Sequence, residues 1–439
     1  MNFLQRIRQL SPFRIIVLSF LILILCGTAL LMLPLSTADG GGATFTDALF
    51  TAVSASCVTG LTTQNTATYW SAFGQTVILL LIQIGGFGVV TVAVAIAAAS
   101  GRKIGLMQRN LSREAVSASQ LQGIVPLLYF ILKFTFLIEG IGALLLAPAF
   151  CAKEGLWKGL WFAVFHSISS FCNAGFDLFG NSLIDFAGDP VVNLTVMFLI
   201  VSGGLGFITW ADIRVHRFRF RAYSLQSKII FLMTAILVFV PAVLFLCLEI
   251  EPTSENTHIW MSFFQSVTAR TAGYNTVDIE TFSEGGRAVL IVLMLIGGAP
   301  GSTAGGCKMT TAFVLLAVMM SSFRLKRDIT CFSRRLSAET VHHAVTVFMM
   351  YLLLFFAGSL LISFIDGLRL LDCAFETASA IGTVGLSIGV TEKLSLVSQY
   401  VMILLMFFGR IGGLTLIFAA NTYGSRRLFR MPEEKLSIG

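Results

Sequence analysis

The chain predicts an all-α integral membrane fold: eight spanning helices and four re-entrant half-helices, built as four repeats around a pseudo-fourfold axis. Three observations lead there. Of 439 residues, 56% are hydrophobic and 12% charged, where a soluble domain carries about 25% charged residues. Basic residues gather in alternate connections between the apolar runs. One short polar interruption recurs four times at matched spacing.

The first apolar run, "IIVLSFLILILCGTALLMLPL", follows the basic head "MNFLQRIRQLSPFR". It is longer than the apolar body of a signal peptide, and no small-x-small cleavage site closes it. Cys26 follows Leu25, where a lipoprotein site needs a small residue. The segment is read as the first spanning helix. Further apolar runs place the spans at about 15–34, 74–98, 124–150, 190–210, 225–249, 286–320, 342–366 and 397–420. Roughly 20 apolar residues suffice to cross a bilayer core as a helix.

Charge sets the orientation. Arg6, Arg8 and Arg14 precede the first span, and Arg102, Lys103, Arg109 and Arg113 lie in the 99–122 loop. The 211–228 loop carries Arg214, Arg217, Arg219, Arg221 and Lys228. The 322–341 loop carries Arg324, Lys326, Arg327, Arg334 and Arg335, and the tail Arg426, Arg427, Arg430 and Lys435. The positive-inside rule makes these segments, and both termini, cytoplasmic. The net charge of +7 is divided among these inner segments and argues for no nucleic-acid partner. Acidic residues, among them Asp47, Asp177, Glu249, Glu376 and Glu392, fall in the outer connections. They form either a solvated outer face or a negative potential that concentrates cations at an entrance.

Several chemistries are excluded. The eight cysteines contain no C-x-x-C pair and the five histidines no ligand motif, so neither a zinc site nor a disulfide framework is implied. "GSTAGGCKM" at 301–309 lacks the G-K-[ST] of a phosphate-binding loop. No constellation of nucleophile and base marks an enzyme.

The repeat is clearest in the outer connections, at "SASCVTGLTT", "FCNAGFDLFG", "ARTAGYNTVD" and "IGTVGLSIGV". Aligned on Gly60, Gly175, Gly273 and Gly385, each copy has Phe ten residues earlier: Phe50, Phe165, Phe263 and Phe375. Six residues earlier stand Ser54, Ser169, Val267 and Ser379. The repeats are bounded at 1–100, 101–222, 223–336 (with a broken second helix) and 337–439 (with a C-terminal tail). Irregular backbone at membrane depth is tolerated only where protein buries it or it lines a wet cavity. Four such loops entering from one side can converge on one axis and present carbonyls that replace a cation's hydration shell. A glycine in each loop allows the positive φ that turns those carbonyls inward. The candidate cation-binding residues are therefore Val58, Thr59 and Gly60; Asn173, Ala174 and Gly175; Thr271, Ala272 and Gly273; and Thr383, Val384 and Gly385. The glycine clusters of the second spans (Gly85, Gly86, Gly203, Gly204, Gly412 and Gly413) read instead as close-packing surfaces.

At these residues the chain resembles the Trk/Ktr/HKT superfamily of potassium transporters, and within it the membrane subunits of bacterial Ktr systems. The likeness rests on "DALFTAVSASCVTGLTT", "FHSISSFCNAGFDLF", "FFQSVTARTAGYNTVD", "FETASAIGTVGLS" and "MFFGRIGGLTL", and covers about residues 13–439. It implies a channel-like fold of four membrane–pore–membrane repeats in the bacterial cytoplasmic membrane. It further implies potassium as the transported ion, with Gly60 the potassium-favouring choice at the first filter position. No covalent cofactor is implied. A homodimer on a cytoplasmic ring of KtrA-like nucleotide-binding regulatory subunits is expected by the same likeness, as is stimulation by sodium. The stretch "GGAPGSTAGG", 297–306, cannot sustain a helix. The resemblance makes its residues Gly301, Ser302, Thr303, Ala304, Gly305 and Gly306 a gating loop; a static kink is the alternative. Arg410, within "FFGRIGG", is read as a positive barrier near that loop or as one arm of a structural salt bridge. Arg270 is read as a brace for its own loop, paired with an outer carboxylate. A gated uptake pore is favoured over a sodium-coupled, alternating-access transporter, because all four loops enter from one side.

Overall fold

A computed structural model of the protein describes residues 12–89, 91, 124–217, 219–249, 257–326 and 328–412. The first repeat contributes α1 (Pro12–Leu31), α2 (Phe45–Cys57) and α3 (Ala72–Phe87), and the second α4 (Ile124–Glu154), α5 (Leu156–Cys172), α6 (Pro190–Gly204) and α7 (Phe207–His216). The third holds α8 (Leu225–Leu248), α9 (Thr257–Thr268), α10 (Glu284–Leu295) and α11 (Met309–Phe323). A short hairpin of β1 (Thr330–Cys331) and β2 (Arg334–Arg335) follows. The fourth has α12 (Ala338–Asp366), α13 (Leu370–Gly382) and α14 (Leu396–Ile411). The basic head before residue 12, the entire 99–122 loop, Arg327 and the tail from Gly413 onward lie outside the described residues.

Six helix starts are written in the sequence. Ser71, Ser224, Ser283, Ser337 and Ser395 accept the backbone N–H three residues on, and Asp189 accepts those of Val191 and Val192. Such caps satisfy N–H groups that the first turn of a helix leaves without partners.

Among the described residues, four helices are long and apolar enough to cross a membrane: α1, α4, α8 and α12, the first of each repeat. The second helices are shorter than the apolar runs suggest, because each is broken. The span expected at 74–98 leaves the helix at Gly88, and the one at 397–420 at Gly412. The one at 190–210 turns by 95° between α6 and α7. The one at 286–320 is interrupted from 296 to 308. Only the last break was expected; the same glycine clusters that permit close packing also end the other three helices.

The close-packing reading holds at Gly85, where a Cβ would strike the Ser56 carbonyl, and at Gly203, where it would strike that of Phe171. Gly86 lies against Cys172, and a Cβ there would sit 2.7 Å from its sulfur. Gly409, which the repeat pattern did not single out, meets the Ile381 carbonyl in the same way. In the first, second and fourth repeats the second helix thus presses a glycine onto the C-terminal turn of its own re-entrant helix. Gly412 departs from that reading: nothing lies within 4 Å of an added Cβ, and its φ of +85° serves the break.

Candidate cation-binding site

The re-entrant helices α2, α5 and α13 end alike. Val58, Asn173 and Thr383 take the left-handed conformation, and the next residue's N–H reaches five residues back, to Ser54, Ser169 and Ser379. This ending caps the last carbonyls and throws the chain off the helix axis. In the third repeat Ala272 N–H instead reaches four residues back, to Thr268, and the helix stops two residues sooner relative to its glycine.

One residue is missing between the buried phenylalanine and the glycine in the third copy. The fully buried phenylalanine is Phe264, matching Phe50, Phe165 and Phe375, while Phe263, aligned by fixed spacing, is only half-buried. Val267, aligned with the serines, likewise gives way to Thr268. Thr268 Oγ1 donates to the Tyr274 carbonyl at 2.5 Å, as Ser169 Oγ donates to that of Phe176 at 3.1 Å. Ser54 and Ser379 hold their loops by accepting the N–H of Gly60 (3.1 Å) and Gly385 (3.0 Å).

Beyond the helices the φ signs repeat in all four copies. Val58, Asn173, Thr271 and Thr383 lie at +58°, +60°, +71° and +50°, and Gly60, Gly175, Gly273 and Gly385 at +95°, +68°, +86° and +94°. The residue between each pair, Thr59, Ala174, Ala272 or Val384, has no positive φ. Alternating the sign of φ along a strand swings successive carbonyls to one side. Three of the left-handed positions are β-branched, a conformation that persists only where surroundings enforce it. Asn173 tolerates it better, because its short amide can bond locally. With that amide turned to satisfy its neighbours, it donates to the carbonyls of Ser170 (3.0 Å) and Ile200 (3.2 Å).

The four loops close into a ring. A Cβ on Gly60 would collide with the Ala174 carbonyl, and one on Gly175 would lie 2.8 Å from that of Ala272. One on Gly273 would meet the Val384 carbonyl, and one on Gly385 that of Thr59, which returns to the first repeat. All twelve sequence-predicted residues are thus brought together. The buried hydroxyls of Thr59, Thr271 and Thr383 have no hydrogen-bond partner at this ring.

Outside the ring lies a cavity of about 270 Å³ to which all four glycines contribute, with Asp177 and Glu392 on its wall. Asp177 accepts the N–H groups of Gly180 and Ser182, the latter at 2.7 Å. Burial pushes its carboxyl above the usual range, against the pull of those bonds. Three other outer acids act as braces. Glu376 is fully buried and accepts from Ser387, Ile388 and Thr391, Asp47 from Thr44 and Thr63, and Glu249 from Ser283.

Inside the ring lies the 296–308 break. Breaking α6 from α7 frees backbone groups that bilayer lipid cannot satisfy. The loop supplies partners: Ala299 N–H to Gly204 O (3.0 Å), Thr303 N–H to Gly203 O (3.3 Å) and Phe207 N–H to Gly301 O (2.9 Å). Thr303 Oγ1 donates to the Phe171 carbonyl at 3.0 Å, Gly306 N–H to that of Gly409 at 3.2 Å, and Gly305 packs on the Thr383 side chain. Ser302 Oγ donates to Ala299 O at 2.6 Å, and Ala304 is buried. Lys308, which the sequence reading overlooked, curls back onto the carbonyl of Ala304 at 2.6 Å.

Arg410 reaches this loop from α14. Its guanidinium donates to the Thr303 carbonyl and to those of Gly85 (2.5 Å) and Gly86 (3.1 Å). No carboxylate pairs with it among the described residues, so the structural salt bridge is not the arrangement found. Arg270 also lacks the expected acidic partner there: it is buried, and its Nε has no hydrogen-bond partner. A further buried carboxyl escaped notice in the sequence. Glu139 of α4 takes both bonds of the Gln83 amide (3.1 and 3.2 Å), joining the first two repeats.

Such an arrangement, irregular loops closed into a ring inside a bundle of broken apolar helices, defines a multi-pass membrane transport protein. The family described as TrkH, cation transport protein, matches residues 2–430. The chain belongs to that family, one of transporters and not of enzymes. It is 39% identical to the potassium/sodium uptake protein NtpJ of Enterococcus hirae, over 99% of both chains. It is 38% identical to the Ktr system potassium uptake protein B of Bacillus subtilis, over 98% of this chain and 97% of that one. The corresponding protein of Vibrio alginolyticus is 35% identical over 97% and 94%. The crystal structure of the potassium transporter TrkH from Vibrio parahaemolyticus shares the fold, with a TM-score of 0.75 at 22% identity, covering 94% of this chain and 86% of that one.

Proposed function

We propose that the protein takes up potassium across a bacterial cytoplasmic membrane through a gated pore, with both termini inside. One observation carries the reading: four loops with the same φ alternation meet in a closed ring of carbonyls. A cation entering from the acidic cavity sheds water as peptide oxygens of residues 58–60, 173–175, 271–273 and 383–385 replace it. Carbonyl number and field strength then discriminate between ions. The orphaned hydroxyls of Thr59, Thr271 and Thr383 give the ring further oxygen. The four repeats are taken as 1–100, 101–222, 223–336 and 337–439.

The loop 301–306 closes the inner side of the ring, and Arg410 holds it there while adding a positive charge that repels a leaving cation. Relatives named for potassium uptake, two of them as component B of a Ktr system, support the ion and the expectation of further subunits. A homodimer on a ring of KtrA-like nucleotide-binding subunits completes the assembly, with sodium as an activator.

The test is a reversal potential in proteoliposomes. A pore selective for potassium reverses near the potassium equilibrium potential and tracks it as the gradient is changed. A fixed sodium:potassium stoichiometry, with reversal set by both gradients, sinks the pore and favours alternating access.

A further inference from the structure

On the inner side of the third repeat, α8 and α11 part around a cavity of about 250 Å³. Its walls are apolar. Leu232 and Ile236 of α8 and Leu316 and Met320 of α11 are 41–51% exposed along it, so the groove opens sideways, toward lipid. At its inner end the wall changes to Arg324, Lys326 and Asp328. Asp328 is neutralised by Arg335, whose Nε lies 3.0 Å from it across the base of the β1–β2 hairpin. Arg324 and Lys326 form no ion pair among the described residues and are exposed. Beside them Phe323 and Leu325 are 78% and 93% exposed, as suits side chains dipping into a membrane interface.

We infer that this groove binds an anionic phospholipid of the inner leaflet, one acyl chain between α8 and α11 and the headgroup phosphate between Arg324 and Lys326. The apolar length and the two uncompensated cations are complementary to a lipid with a charged head, and to neither a free phosphate nor a zwitterionic lipid. Basic pockets between spanning helices on the cytoplasmic side recognise anionic headgroups by this chemistry. The site adjoins moving parts without including them. α11 continues from the 296–308 break, and Thr234 Oγ1 of α8 touches Met309 Sδ at 3.9 Å.

The full chain in neutral detergent, titrated with dioleoylphosphatidylglycerol or dioleoylphosphatidylcholine, is read by native mass spectrometry. The wild type is expected to hold one phosphatidylglycerol about tenfold more tightly than phosphatidylcholine, and Arg324→Gln with Lys326→Gln to erase the difference. Ala317→Trp, which fills the groove, is expected to lower retention of both lipids. Equal retention of phosphatidylglycerol by wild type and double variant overturns the site. So does full displacement by glycerol 1-phosphate, which marks a simple phosphate site. If Ala317→Trp turns dimers into monomers with lipid retention unchanged, a second copy covers this face and the lipid assignment fails. Should that variant not accumulate, the double charge variant decides alone.

Discussion

Arg410, near the end of the last described helix, donates to the carbonyl of Thr303, in the loop that breaks the third repeat. The same guanidinium bonds Gly85 and Gly86 of the first repeat. One side chain thus ties three of the four repeats beneath the ring. A lysine cannot reproduce that fork, because its ammonium is a compact point charge. Arg410→Lys is expected to raise resting potassium flux several-fold while assembled protein stays near wild-type amount. Rubidium uptake into proteoliposomes, with the chain alone, measures it. Unchanged flux removes the tether from the gate.

Gly60 has φ +95° and a neighbouring carbonyl where a Cβ would go. Gly60→Ser is expected to distort the ring and reduce potassium-over-sodium discrimination by roughly tenfold, or about 1.4 kcal/mol. Bi-ionic reversal potentials report the ratio. Selectivity like that of the wild type would remove Gly60 from the filter.

Deleting residues 300–305 takes away the contacts with Gly203, Phe171 and Thr383. Flux is expected to rise above wild type in the same rubidium assay. Flux at or below the wild-type level identifies the break as a static kink.

In the third repeat the two candidate tethers are adjacent and separable. Thr268→Val strands the buried Tyr274 carbonyl and is expected to destabilise the protein by about 1–3 kcal/mol. Val267→Ser, which restores the serine pattern, is expected to leave thermal stability unchanged. Melting curves in detergent compare them; equal effects would restore the fixed-spacing alignment.

Asp177 is expected to give uptake a pH dependence. Burial raises its carboxyl pKa, so it gains a proton at a higher pH than a free aspartate does. As pH falls through that raised value, the outer cavity loses a negative charge, and uptake at low external potassium is expected to fall. Asp177→Asn is expected to lower uptake at neutral pH and to flatten the acid limb. A profile that keeps its acid limb in the variant assigns the titration elsewhere.

The repeat and its twelve ring residues were legible because backbone at membrane depth is costly and its glycine punctuation is local in sequence. Spacing alone misplaced Phe263 and Val267, since a single missing residue before Gly273 shifts a helix by about 100° without altering the loop. The breaks at Gly88, Gly206 and Gly412 were hidden by apolar runs that continue past them. Partners far apart in sequence were out of reach: nothing near Arg410 announces Thr303 or Gly85, and nothing near Glu139 announces Gln83.

The ring is made four times over, and the inner loop once. A sequence change at one quarter of the ring is averaged with three companions, whereas a change in residues 296–308 acts undiluted. On the proposed function, ion preference is therefore shared among four loops, while opening rests on one. A pore of that kind would set the moment of admission with one segment and the identity of its cargo with four.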